Sequence, residues 1–141
     1  MEQNISLRLG IIMIEFYFPT STGEWLAFSS AIITIIFGLM LLITPHLSLR
    51  ILRLQTFADV PSAVSESRAT MAGFYLGVGI TCILLAQPLL YLALGASWII
   101  TSLGRIISMV LDKGNTKYNW ISWPIEAGLG ILPTLYALGY L

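Results

Sequence analysis

The chain has 141 residues, of which 57% are hydrophobic and only 10% charged, and its formal net charge is zero. Soluble domains carry about 25% charged residues, so this composition excludes an ordinary soluble domain and points to a lipid bilayer as solvent. Balanced charge leaves no electrostatic footprint for nucleic acid, and the single cysteine, Cys82, excludes an internal disulfide and a cysteine-based zinc site.

The first 24 residues read as an interfacial segment. From Ile5 to Phe18, Leu7, Ile11, Ile14 and Phe18 share one helical face, with Arg8 and Glu15 close together on another. That stretch is too short to span, so a helix lying on the outer surface is expected. It does not read as a secretory signal, because Glu15 interrupts the apolar run and no small-residue cleavage site follows.

Residues 25–141 then contain four runs long enough to cross a bilayer, which takes about 20 apolar residues in a helix. The spans are expected near 25–44, 69–87, 88–111 and 121–141. Pro45 stops the first, and Pro88 opens the third in a favourable first-turn position. The second and third should meet in a tight antiparallel turn at Gln87-Pro88. After Pro45, Leu47, Ile51 and Leu54 recur at helical spacing beside Arg50 and Arg53, which suggests a short interfacial helix. Asp59, Pro61 and Ser62 break that pattern. The expected fold class is therefore all-α, an integral membrane four-helix bundle with short amphipathic interfacial helices.

Basic residues orient the bundle. Arg50, Arg53, Arg68, Lys113 and Lys117 fall in the two loops on one side, whereas Arg8 is outnumbered by Glu2, Glu15 and Glu24 on the other. The positive-inside rule places those loops in the cytoplasm and both termini outside, as in a multi-pass protein of a bacterial inner membrane. Trp25, Tyr91 and Tyr140 then mark the outer interface, and Tyr118, Trp120 and Trp123 the inner one. Trp98 lies inside the third span, where packing is expected and the indole N–H needs an acceptor.

Ionisable residues inside the spans are the first candidates for a site, since a charge in hydrocarbon costs several kcal/mol by insertion scales. Arg105 lies about 10 Å and Glu126 about 8 Å inside the inner boundary at helical rise. Glu66 and Arg68 sit at the inner mouth of the second helix. All four occupy one inner-leaflet layer, with Arg105 expected to pair with Glu126 and the other two to complete a neutral network. Such a layer serves either as a clasp that fixes helix register or as a polar pocket open to the cytoplasm.

Ser97, Thr101, Arg105 and Ser108 share a face of the third helix, giving a polar ladder that is either interhelical hydrogen-bond glue or a path for a proton or small solute. Ala69, Gly73 and Gly77 form a small-residue stripe on the second helix, and Gly128 with Gly130 does similar work on the fourth. Pro124 and Pro133 are expected to bend the fourth helix.

Glu66-Ser67-Arg68-Ala69, then Gly73 and Leu76-Gly77-Val78-Gly79, resembles the E-x-R-A…G…LGLG pattern of a bacterial four-helix membrane family, domain of unknown function 4345. Leu103-Gly104-Arg105, Ser108 and Asp112-Lys113-Gly114 look like its G-R…S…D-G block, and Glu126 matches its last-helix acid. The resemblance covers Ala69 to Glu126, and the first helix matches only in hydrophobicity. The chain departs at Met71-Ala72, where an aromatic and a second small residue are usual, and in having Lys113 between the acid and the glycine. The resemblance implies the fold and the importance of the charged layer. It brings no activity.

No nucleophile with a base, paired histidines or phosphate loop is present, and His46, the only histidine, reads as a solvated loop residue, so no catalytic site, cofactor or metal is expected. The leading functional reading is a structural or accessory subunit docking on a larger membrane complex, or forming a homo-oligomer. The alternative is a carrier or binding protein for a small solute, lipid or proton, using the inner-leaflet charges and holding a bound lipid.

Overall fold

The computed structural model describes residues 16–57 and 60–141. The helix expected over Ile5–Phe18 falls almost wholly outside the described residues, and Phe16 to Thr20 are irregular. The described chain is all helical: α1 (Thr22–Ile43), α2 (Pro45–Ile51), α3 (Ser62–Glu66), a π-helical stretch (Ser67–Met71), α4 (Ala72–Leu85), α5 (Pro88–Leu111) and α6 (Lys117–Ala137). From Ser62 to Leu85 the chain runs as one 24-residue rod.

Local chemistry sets the helix starts earlier than hydropathy does. Ser21 caps α1 by accepting from the Glu24 N–H at 3.2 Å, while Glu24 reaches back to the Ser21 N–H at 3.1 Å. This capping box satisfies two helix-end donors reciprocally. Thr20 N–H and the Tyr17 hydroxyl also donate to the Glu24 carboxylate. Ser21→Ala is expected to destabilise the fold by about 1 kcal/mol, read from reversible unfolding in mixed micelles. A variant as stable as the parent would mean that α1 is held by packing alone.

Three helices, α1, the Ser62–Leu85 rod and α5, are long and apolar enough to cross a membrane. The fourth, α6, is not among them, because Lys117, Glu126, Pro124, Pro133 and its tyrosines and tryptophans dilute its apolar content. It also starts at Lys117 rather than Ile121, since the Thr116 side chain caps it by accepting from the Asn119 N–H at 3.3 Å.

Helix pairing departs from chain order. α5 packs most extensively on α6, and α1 packs on α4 and, less extensively, on α6. α4 and α5 are joined by the Ala86-Gln87 turn yet touch little beyond it. They diverge, leaving a cleft of about 190 Å³ between them. The core is built from Ala27 and Ala31 of α1, Cys82 of α4, Tyr91, Leu94 and Trp98 of α5, and Leu129 of α6. Tyr91 is therefore a core residue, set edge-on to Tyr136 at 5.4 Å, and not the interfacial anchor its position suggested.

Glycines mark where backbones meet, though not all of those expected. A Cβ at Gly95 would fall 2.8 Å from the Gly130 carbonyl oxygen, and one at Gly130 would fall 2.8 Å from the Ile99 nitrogen. On α4 the close approach is made by Gly79 against Ala31 and Ile35, beside fully buried Ala72. Gly73, Gly77 and Gly128 would carry a Cβ into open space, and Ala69 is exposed. The Ala69/Gly73/Gly77 stripe thus lies on the outward side of its helix. Spacing of four puts small residues on one face; the partner helix decides which face is covered.

Candidate functional site

Arg105 of α5 and Glu126 of α6 lie opposite each other across the most extensive helix interface. Arg105 Nε donates to Glu126 Oε2 at 2.7 Å, and Nη2 donates to Oε1, so the pair is bidentate. The remaining Nη1 donates to Asn119 Oδ1 at 2.7 Å, and Asn119 Nδ2 donates to the Gly114 carbonyl at 2.7 Å. The Tyr118 ring covers the guanidinium, its centroid 5.6 Å from Cζ. A planar fork with five donors suits two carboxylate oxygens and an amide together, which a lysine does not.

The same network seats the 112–116 loop. Lys113 takes the left-handed conformation (φ 57°) that ends α5, and Gly114 N–H donates to the Ser108 carbonyl at 3.1 Å. A Cβ at Gly114 would lie 2.8 Å from that same oxygen, so the glycine is required by close approach. The lysine between the acid and the glycine is thus absorbed by a positive-φ residue at the helix end.

Glu66 and Arg68 do not join the pair. The Glu66 carboxylate accepts from Thr70 Oγ1 at 2.7 Å, and Arg68 Nη1 donates to the Leu42 carbonyl at 2.9 Å. Ser67 Oγ donates to the Leu41 carbonyl at 3.2 Å. The last carbonyls of a helix lack intrahelical partners and carry the negative end of its dipole. Ser67 and Arg68 therefore cap α1 from the neighbouring rod, and the π-helical turn at Ser67–Met71 places them there. The expected single four-residue network is two separate ones, because α4 and α5 splay apart below their shared turn.

The polar ladder also resolves differently. Ser97 Oγ donates to the Ala93 carbonyl at 2.8 Å and Thr101 Oγ1 to the Ser97 carbonyl at 2.9 Å, each four residues back in α5. Both residues are exposed on the cleft, and Ser108 is half-buried beside Gly114. The buried polar contact lies one step away: Trp98 Nε1 donates to Thr34 Oγ1 at 2.9 Å, which donates onward to the Ser30 carbonyl at 2.7 Å. Phe37 and Tyr75 both pack edge-on against the indole.

Two members of this site escaped sequence reading. Asn119 lies seven residues before Glu126, so a heptad count places both on one face of α6. Arg53 carried no such signal. It ends α2 in the left-handed conformation (φ 57°), a position glycine usually fills, with Leu54 N–H donating to the Leu49 carbonyl at 2.8 Å. Its guanidinium lies over the Tyr118 ring, 5.2 Å from the centroid, so that Arg53 and Arg105 both contact this ring.

The order of these residues, from the α1 cap through the Arg105–Glu126 pair, is matched by one family model, Domain of unknown function (DUF4345), over residues 24–137. The chain belongs to this family. The match takes in α1, which hydrophobicity alone had linked to it, and ends at the last residue of α6. No curated protein and no solved structure matches the chain. Within the DUF4345 chain, Ser67 and Arg68 thus form the α1 cap, and Arg105, Gly114, Asn119 and Glu126 form one hydrogen-bonded clasp.

Proposed function

We propose that the protein is a small four-span accessory subunit of an inner (cytoplasmic) membrane, docking laterally on a larger membrane assembly and carrying no catalysis of its own. α6 would complete the four spans. It runs antiparallel to α5 with contacts from Tyr91–Tyr136 through Gly95–Gly130 to Arg105–Glu126, so a bilayer that holds α5 also holds α6. The basic residues near Arg53, Arg68 and Lys117 favour the cytoplasm for that end.

The observation that carries this reading is the saturation of the buried charges. Both Glu126 oxygens face Arg105, and the guanidinium nitrogens are spent on Glu126 and Asn119. A carrier that titrates a carboxylate or holds an anion at this layer needs one of them free. The clasp instead fixes the register of α5 on α6, and leaves broad apolar faces, such as Ile107, Val110 and Leu111, for lipid or a neighbour. On native gels in mild detergent, the protein is expected to migrate with an assembly several times its own 15.5 kDa mass. Migration as a lone chain under every such condition would sink the proposal.

A further inference from the structure

The cleft between α4 and α5 is a feature that the docking reading does not use. Phe74, Tyr75 and Val78 form one wall, and Ser97, Trp98 and Thr101 the other. It lies between two helices that are long and apolar enough to span a membrane, and it opens sideways because they diverge from the Ala86-Gln87 turn. In a bilayer such an opening faces hydrocarbon. We propose that this cleft seats one acyl chain of an anionic phospholipid, with its phosphate at the inner mouth.

Chemistry and size select the occupant. Three of the wall's polar groups donate within the protein: Ser97 and Thr101 bond their own helix, and the Trp98 N–H bonds Thr34. The lining is mostly carbon, which suits a hydrocarbon chain better than a polar solute. A cleft of about 190 Å³ has room for roughly six water-sized groups at about 30 Å³ each. That fits part of a single alkyl chain. One turn of a partner helix, about 10 Å across and about 5.4 Å long, occupies roughly twice the volume of the cleft.

Charge at the inner mouth selects the headgroup. Arg105 follows Thr101 by one helical turn but is neutralised by Glu126. Arg68 precedes Tyr75 by seven residues, about 10 Å along the rod, and is exposed with only Nη1 engaged by protein. Arg53, held over Tyr118 beside Arg105, adds a second cation at that end. A phosphate at the inner mouth would meet the free side of the Arg68 guanidinium, and about fivefold preference for an anionic over a zwitterionic lipid follows from one such cation.

Native mass spectrometry of the full chain, released from nanodiscs of equal phosphatidylglycerol and phosphatidylcholine, tests this. The expected result is one retained phosphatidylglycerol. Val78→Trp, which fills the cleft, should abolish retention of either lipid while the helical circular dichroism and unfolding midpoint persist. Arg68→Gln should keep the lipid but reduce the preference for phosphatidylglycerol by about fivefold. Equal retention by Val78→Trp, no retained lipid in the parent, or no headgroup preference overturns the proposal. So does efficient oxidative dimerisation of Ser97→Cys in a Cys82→Ala background, which would put a second copy at the cleft.

Discussion

Glu126→Leu is expected to destabilise the protein by about 3 kcal/mol, the lower end of the 3–5 kcal/mol typical when one partner of a buried pair is removed. The cost comes from the arginine left behind. Arg105 would retain its charge in a span with no carboxylate, and with Asn119 as its remaining partner. The lower figure applies because its side chain is 19% exposed and can extend toward the nearby end of α5. Replacing both residues, Arg105→Met with Glu126→Leu, should recover most of the loss, since a neutral apolar pair has no desolvation penalty to offset. Unfolding in mixed micelles across the double-mutant cycle reads this directly. If the double variant is as unstable as the single one, the pair does more than neutralise itself. If it is stable yet no longer enters the proposed assembly, the clasp is part of the docking surface.

The second large effect is expected at glycines, and only at some of them. Gly95→Leu or Gly130→Leu drives a side chain into a backbone carbonyl or amide across the α5–α6 interface, and backbone cannot rotate away. The loss should reach or exceed the upper end of the 1–3 kcal/mol usual for overpacking. At Gly73, Gly77 and Gly128 an added Cβ meets nothing within 4 Å, so Gly→Leu there should change stability by less than about 0.5 kcal/mol. Comparing unfolding midpoints of the five variants separates the two groups. Equal damage at Gly73 or Gly77 would show that the outward face of α4 is covered by a neighbour.

These two cases also show where sequence reading reaches its limit. The Arg105–Glu126 pairing was legible because each residue's depth follows from helical rise and both charges need neutralising in hydrocarbon. The extension of the pair to Glu66 and Arg68 was not. It assumed that helices joined by a two-residue turn stay together along their length, and α4 and α5 part below Gln87. In the same way, a spacing of four identified small-residue stripes at Gly73 and Gly77, yet Gly79 and Ala72 make the contact.

By itself, then, the amino-acid order determined what acts within a segment: the apolar composition, the boundaries at Pro45 and Pro88, the single α5 helix from Pro88 to Leu111, and the depth of each charge. Those depend on hydropathy, helical rise and proline sterics, which need no partner. Tertiary structure alone decided which helix neighbours which, that Ser67 and Arg68 cap α1, that Asn119 completes the arginine's shell, and that a cleft opens between consecutive helices. Such features depend on which backbones approach closest. In hydrocarbon that choice is made by shape and hydrogen bonding between faces, with no hydrophobic drive between helices to announce it in the composition.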